Sequence, residues 1–346
     1  MRARKSLLSL AVLVAISGSA FAADSAVTTE QNGKGNYLNI DQANATGSQT
    51  TIKQNGDNNT AGTAATPSYW SGSIFRPTWN QGTSATPISQ TATYSNLNIN
   101  QTGSNNAVSA NQAGNNNNGT VNQNGSGVQN ATLNQGGGYG TATINQDYNA
   151  NTRAEITQAT NYGTNNTATV TQTYNSNGTS ASVSQQGNFN TGTVVQRDSN
   201  KATASLAQTG SNNSGYVEQL NANNGKATAK QDGNFNTLNA YQTGASQEAV
   251  ITQKNNDNFA YSNQSGYNQY ASIEQRGNNG YVSSNQSGAN NEEELLQTGN
   301  FDRATVNQTG YNGQLANSVN LAQTANNLTA NISQNGSGNT AIVKQR

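Results

Sequence analysis

The sequence predicts an all-β fold: a β-solenoid of stacked strand-turn-strand repeats, about 22 residues each, forming two parallel sheets that lie face to face. Three observations predict it. Glutamine recurs at 26 positions from Gln31 to Gln345, mostly 11 or 12 residues apart, and every step from Gln242 to Gln308 is 11. The residue two before the glutamine is Ile, Val or Leu in 20 of the 25 units from Gln42 on. Glycine commonly stands two residues after it, as at Gly103, Gly125, Gly233, Gly299 and Gly336, where a tight turn needs positive φ.

Composition makes such regularity necessary. Only 9% of the 346 residues are charged and 31% are hydrophobic. Polar chains of this kind stay disordered, or aggregate as Gln/Asn-rich β-structure, unless repeats let neighbours bury one another. The formal net charge is zero, so no long-range field steers the chain toward nucleic acid or membrane, and copies do not repel each other. There is no cysteine and no histidine. Disulfides and thiolate metal sites are excluded, and the commonest metal ligand and general base is missing.

The elements follow in order. Residues 1–22 read as a secretory signal peptide: Arg2, Arg4 and Lys5 are basic, residues 7–16 are an apolar run too short to span a bilayer, and Ala20-Phe21-Ala22 fits a cleavage site. The mature chain is expected outside the cell, exported through the periplasm. Residues 23–54 hold the first repeats, at Gln31, Gln42 and Gln54. Residues 55–89 break the ladder and contain both tryptophans, Trp70 and Trp79, and all three prolines, Pro67, Pro77 and Pro87. Proline is confined to edges and loops of sheets, so this stretch reads as an excursion from the stack. Trp70 and Trp79 are candidate partner or carbohydrate contacts; the competing reading is a self-packed loop covering one sheet face. Residues 90–346 form the main repeat array, with longer turns between Gln158 and Gln172, Gln172 and Gln185, and Gln308 and Gln323.

Within each repeat, positions −4, −2 and 0 relative to the glutamine share one face of a strand of about five to seven residues, because side chains alternate. Alanine often fills −4, as at Ala131, Ala142, Ala249 and Ala304. The inward glutamine satisfies its own polarity: the same amide recurs about 4.8 Å above and below, within hydrogen-bonding distance. The inward ladder assigned to stacking and assembly comprises Gln101, Gln112, Gln123, Gln135, Gln146, Gln231, Gln242, Gln253, Gln264, Gln275, Gln286, Gln297, Gln308, Gln334 and Gln345. Outward offsets carry the charges: Lys53, Glu218, Lys230, Glu274 and Lys344 at −1, and Arg153, Lys226, Glu248 and Arg303 at −5. Glu293 alone takes an inward −4 position, and a buried unpaired carboxylate is costly. Its rung is therefore expected to be distorted, or the side chain exposed at an irregularity.

No catalytic constellation is present, so the chain is read as a non-enzyme with no cofactor or metal. Glu292, Glu293 and Glu294 have no basic partner nearby in sequence, the calcium nonapeptide GGxGxD is absent, and the glycines at 136–138 open no phosphate loop. A monomeric solenoid adhesin or ice-binding module is the alternative. The Thr-Ala-Thr triplets at 91–93 and 141–143 invite the ice reading but do not recur at one phase.

The unit Gln-x-Gly-x-x-Asn-x-Ala-x-x-x-Gln resembles the curlin repeat of curli fibre subunits. It is carried by QTGSNNAVSANQ (Gln101 to Gln112), QDGNFNTLNAYQ (Gln231 to Gln242, with Leu for Ala) and QNGSGNTAIVKQ (Gln334 to Gln345), and in phase over nearly the whole mature chain. The resemblance implies a secreted, fimbrium-like functional amyloid at the cell surface, built by self-association for biofilm matrix and adhesion. It also implies other curlin subunits and a curli-type outer-membrane secretion pore as partners, with no nucleic acid and no membrane insertion. About twelve or thirteen repeats exceed the familiar number. No Gly-rich segment precedes Gln31, which looks more like the minor, nucleating subunit than the major one. The last repeat, ending at Gln345, is where the next molecule is expected to dock.

Overall fold

The computed structural model describes residues 24–63, 69–73, 76–80, 86–158, 164–311 and 315–346, with 69–73 and 76–80 described by their backbone. The signal peptide assigned to residues 1–22 lies outside them. The described residues form strands and turns and no helix. One sheet has 13 strands, running from Ala26–Asn32 through Gln49–Asn55 and Asn96–Gly103 to Thr329–Asn335. The other has 15, running from Tyr37–Leu38 to Thr340–Gln345. Along the main array the chain alternates between them, so each repeat gives one strand to each sheet, and the chain is a β-solenoid with two parallel sheets. Every full-length neighbour pairs in parallel, with glutamine opposite glutamine, as in Gln123↔Gln146 and Gln275↔Gln297. A one-residue slip would turn the inward set outward, which holds the register fixed.

The core is one continuous column between the sheets. Ile52, Ile99, Leu133, Ile144, Ile156, Leu206, Ile251 and Leu321 are buried side by side with the −4 alanines. Where glycine replaces that alanine, an aliphatic side chain on a facing strand fills the room: a Cβ on Gly215 would meet Leu206 Cδ1 at 2.6 Å, and one on Gly192 would meet Val183 Cγ1 at 2.8 Å.

Strand lengths depart from the expected five to seven residues. Ser180–Asn188, Thr203–Ser211 and Lys226–Asn234 each run for nine, because pairing continues past the glutamine through Gly187↔Gly210↔Gly233. These glycines therefore do more than turn the chain. Gly210 sits at φ +108°, and a Cβ there would collide with the Gly233 carbonyl oxygen, so only glycine lets successive rungs close up.

The excursion is narrower than the expected 55–89: Thr60–Ala61 pairs with Tyr37–Leu38 and with Asn106–Gln112 inside the 15-stranded sheet, and Ile88–Gln90 belongs to that sheet as well. Tyr69–Ser73 and Arg76–Asn80 pair antiparallel with each other in a separate two-stranded sheet, placing Trp70 opposite Trp79. An antiparallel bridge between Thr63 and Thr86 closes its base, and the Ile40–Asp41 strand resumes contact with the Ile88–Gln90 strand. The longer turns after Gln158 and Gln308 lie partly outside the described residues; the strands on either side keep register.

Candidate functional site

The two sheets project their glutamines inward at the end of each strand, and all those from Gln54 to Gln323 are buried. They form two hydrogen-bonded ladders. In the 13-stranded sheet each Nε2 donates to Oε1 of the glutamine on the following rung, without a break from Gln31 through Gln54, Gln101, Gln123, Gln146, Gln172, Gln196, Gln219, Gln242, Gln264, Gln286 and Gln308 to Gln334. In the other sheet the same chain runs from Gln42 through Gln90, Gln112, Gln135, Gln158, Gln185, Gln208, Gln231, Gln253, Gln275, Gln297 and Gln323 to Gln345.

Both ladders point the same way, and a second bond fixes the direction. Gln219 Nε2 gives its other proton to the Thr203 carbonyl across the core at 3.2 Å, Gln242 to Lys226 at 3.0 Å, and Gln253 to Thr237 at 2.9 Å. A main-chain carbonyl can only accept, so the amide nitrogen must face it, and the amide cannot be flipped. Each glutamine thus ties its rung to the next and its sheet to the opposite one. The cross-sheet bond is invisible to a reading of strand phase alone.

Direction gives the stack two unlike ends. At the N-terminal end, Gln31 and Gln42 present Oε1 atoms that accept from no described residue. At the C-terminal end, Gln334 Nε2 donates to Ser318 and Gln345 Nε2 to Thr329, and neither has a further glutamine to reach. The end strands also lack a covering rung. Ala26–Asn32 is exposed almost throughout, and Thr340–Gln345 is exposed or half-buried throughout, whereas inner strands alternate with buried positions.

A second set of amides holds the corners. Asparagine six before the glutamine is buried at Asn166, Asn190, Asn213, Asn236 and Asn258. Its Oδ1 accepts from the backbone N–H of the corner residue one rung on, as Asn213 N–H donates to Asn190 and Asn236 N–H to Asn213. Its Nδ2 donates to a main-chain carbonyl of the next turn, Asn190 to Gly210 at 2.9 Å and Asn236 to Asn255 at 2.8 Å. The sequence carried the signal, because −6 has the parity of −4, −2 and 0.

Glu293 corrects an expectation. Its rung is neither distorted nor opened: the residue is fully buried, and its strand Asn291–Gln297 keeps register with both neighbours. The carboxyl faces Ser284, whose Oγ donates to Oε2 at 2.7 Å. Ser284 and Ser262 are two of the small residues that replace the aliphatic at −2, and they leave room across the core. Burial pushes the carboxyl up to about 8, outweighing the downward pull of the serine hydroxyl. A protonated acid, not a carboxylate, therefore occupies the site at neutral pH.

Outward charges pair along or across rungs: Lys226 with Glu248 at 2.7 Å, and Glu274 with both Arg276 at 2.7 Å and Lys254 at 3.3 Å. The Arg276 hydrogen bond, helped by Lys254, holds the Glu274 carboxyl below its usual range. Threonine needs one correction. Thr141, Thr167 and Thr191 align, as do Thr143, Thr169 and Thr193, so Thr-x-Thr does recur in phase on three successive rungs. The row ends at Ser214 and Tyr216. Among the described residues no three acidic side chains converge as a metal site. The side chains of Trp70 and Trp79 lie outside the described residues; their backbones face each other across the hairpin.

A family model described as the curlin associated repeat matches residues 200–233, which covers three consecutive strands and the turns between them. No curated protein matches the chain. The matched segment has the same register, amide ladders and corner asparagines as the rungs on either side, and the match supports assigning the chain to the curlin family.

Proposed function

We propose that this curlin-repeat β-solenoid is a secreted structural subunit of curli-like functional amyloid fibres, and that it assembles by end-to-end addition of whole solenoids. The observation that carries this reading is the pair of directed amide ladders with unlike ends. A second copy set on the C-terminal rung would bring Gln31 and Gln42 oxygens over the Gln334 and Gln345 amides. The Ala26–Asn32 strand would then continue the sheet beyond Thr329–Asn335 by main-chain hydrogen bonding. All copies in a fibre would point one way, because like ends offer acceptor to acceptor or donor to donor. Secretion, a role in biofilm matrix and adhesion, partnership with other curlin subunits and passage through an outer-membrane pore belong to the same proposal and rest on the repeat.

Seeded kinetics test it. Mature protein should bind an amyloid dye after a lag, and preformed fibres should abolish the lag. Protein that stays monomeric and dye-negative with seeds present would overturn the proposal.

A further inference from the structure

One corner of the solenoid carries a column that assembly does not use. The residue just before the corner asparagine, or before its counterpart, has positive φ on every rung from Tyr94 to Asn327. In order these residues are Tyr94, Asn116, Tyr139, Asn165, Phe189, Asn212, Phe235, Asp257, Asn279, Phe301 and Asn327. They stack on consecutive rungs: each backbone N–H donates to the preceding rung, as Tyr139 to Asn115, Phe189 to Thr164 and Phe235 to Ser211, at 2.9 to 3.0 Å. Asparagine tolerates this left-handed conformation and bulky aromatics do so poorly. Yet Tyr94, Tyr139, Phe189, Phe235 and Phe301 take it, and each is more than half exposed, from 55 to 65%. Strained, exposed aromatics at positions where asparagine would fold more comfortably point to a surface role.

Spacing identifies the partner. Tyr94, Tyr139, Phe189 and Phe235 occupy every second rung, with asparagine between them. Rungs of a sheet stand about 4.8 Å apart, so the rings recur at roughly 9.6 Å along a straight edge. That is close to the disaccharide repeat of an extended β-1,4-linked glycan, in which successive sugars are turned over and the same ring face returns every second sugar. A sugar offers an apolar C–H face to an aromatic ring and hydroxyls to the amides between. The Tyr94 ring lies against Gly47 near the preceding corner, along the rod and not straight out from it. Nucleic acid, the other polymer that stacks on aromatic rows, needs a basic groove; this column contains no Lys or Arg and one Asp, and the net charge is zero. Single rings separated by amides also give no contiguous apolar patch of the kind a protein partner needs.

We infer that this aromatic column is a binding edge for a neutral, extended β-1,4-linked polysaccharide, read by Tyr94, Tyr139, Phe189 and Phe235. Phe301 stands three rungs beyond Phe235 and is out of phase with the other four.

Mature protein should be depleted from solution by microcrystalline cellulose and not by α-linked starch granules or single-stranded DNA. Tyr139→Asn, Phe189→Asn and Phe235→Asn together should weaken the partition at least tenfold. Asn is native to the column, so the fold should persist, with unchanged circular dichroism and seeded dye kinetics; single Tyr139→Asn should give an intermediate loss. Phe301→Asn should stay within twofold of the parent. No binding by the parent, equal binding by the triple variant, an equal loss in Phe301→Asn, or a triple variant that loses only lateral bundling of fibres would overturn the inference.

Discussion

Replacing Glu293 by glutamine removes a buried group whose charge changes near neutral pH. The native carboxyl titrates at about 8, against 4.5 for the free side chain. Between those values the folded chain holds a proton that the unfolded chain has released. Stability from this site is therefore complete below about pH 4.5 and is lost as pH rises through 8. With each pKa unit worth about 1.4 kcal/mol, the full loss is roughly 5 kcal/mol, of which roughly 3 kcal/mol is gone by pH 7. Glu293→Gln keeps the size of the side chain and an oxygen for the Ser284 hydroxyl, and never ionises. It should be close to the parent at pH 4.5 and several kcal/mol more stable at pH 9. Repeat arrays open locally, so the suitable assay is amide exchange of Tyr281–Ala289 and Asn291–Gln297, read at pH 5, 7 and 9 in both proteins. Parallel pH profiles in the two would refute the protonated-acid account.

Other predictions concern the ladders and the glycines. Gln219→Leu strands the Gln196 amide, the Gln242 oxygen and the Thr203 carbonyl, and should lower local stability by about 2–5 kcal/mol, seen as faster exchange on the two flanking rungs. Gln345→Leu, at the exposed end, should leave stability nearly unchanged and slow seeded growth instead. Gly210→Ala meets the Gly233 carbonyl and should cost more than 2 kcal/mol or so, whereas Gly178→Ala, at φ +85° with open space around it, should cost about 1 kcal/mol; thermal melts of the pair separate collision from backbone strain.

Much of this was legible in the sequence because a parallel stack repeats one constraint on every rung. The Ile/Val/Leu at −2 and the glutamine at 0 fix strand, face and register together, and the structure pairs them as the phase requires. What escaped depended on contacts between non-equivalent positions. The Gln219 bond to Thr203 joins opposite sheets, which strand parity cannot reveal. Strand phase presents Glu293 as a carboxylate, whereas its environment favours the neutral acid, and its serine partner lies nine residues earlier on the other sheet. Spacing alone marks the +2 glycines as turn residues, while Gly210 shows that the tighter demand comes from the next rung. The alternation of Tyr94, Asn116, Tyr139, Asn165 and Phe189 was present in the sequence but hidden, because its period is two rungs and not one.

The central claim is that solenoids join end to end, in register and with one polarity, and engineered disulfides test it most directly. In the 13-stranded sheet, Ser333 continues the outward column that begins at Glu30 and Lys53. In a head-to-tail joint Ser333 of one copy stands beside Glu30 of the next, at the inter-strand spacing a disulfide accepts. The chain has no cysteine of its own, so the double variant Glu30→Cys with Ser333→Cys is unambiguous. Oxidised fibres of it should run on a non-reducing gel as a ladder of covalent multimers, while each single variant stays monomeric. Dimers from Glu30→Cys alone, or monomers only from the double variant in well-formed fibres, would contradict the account.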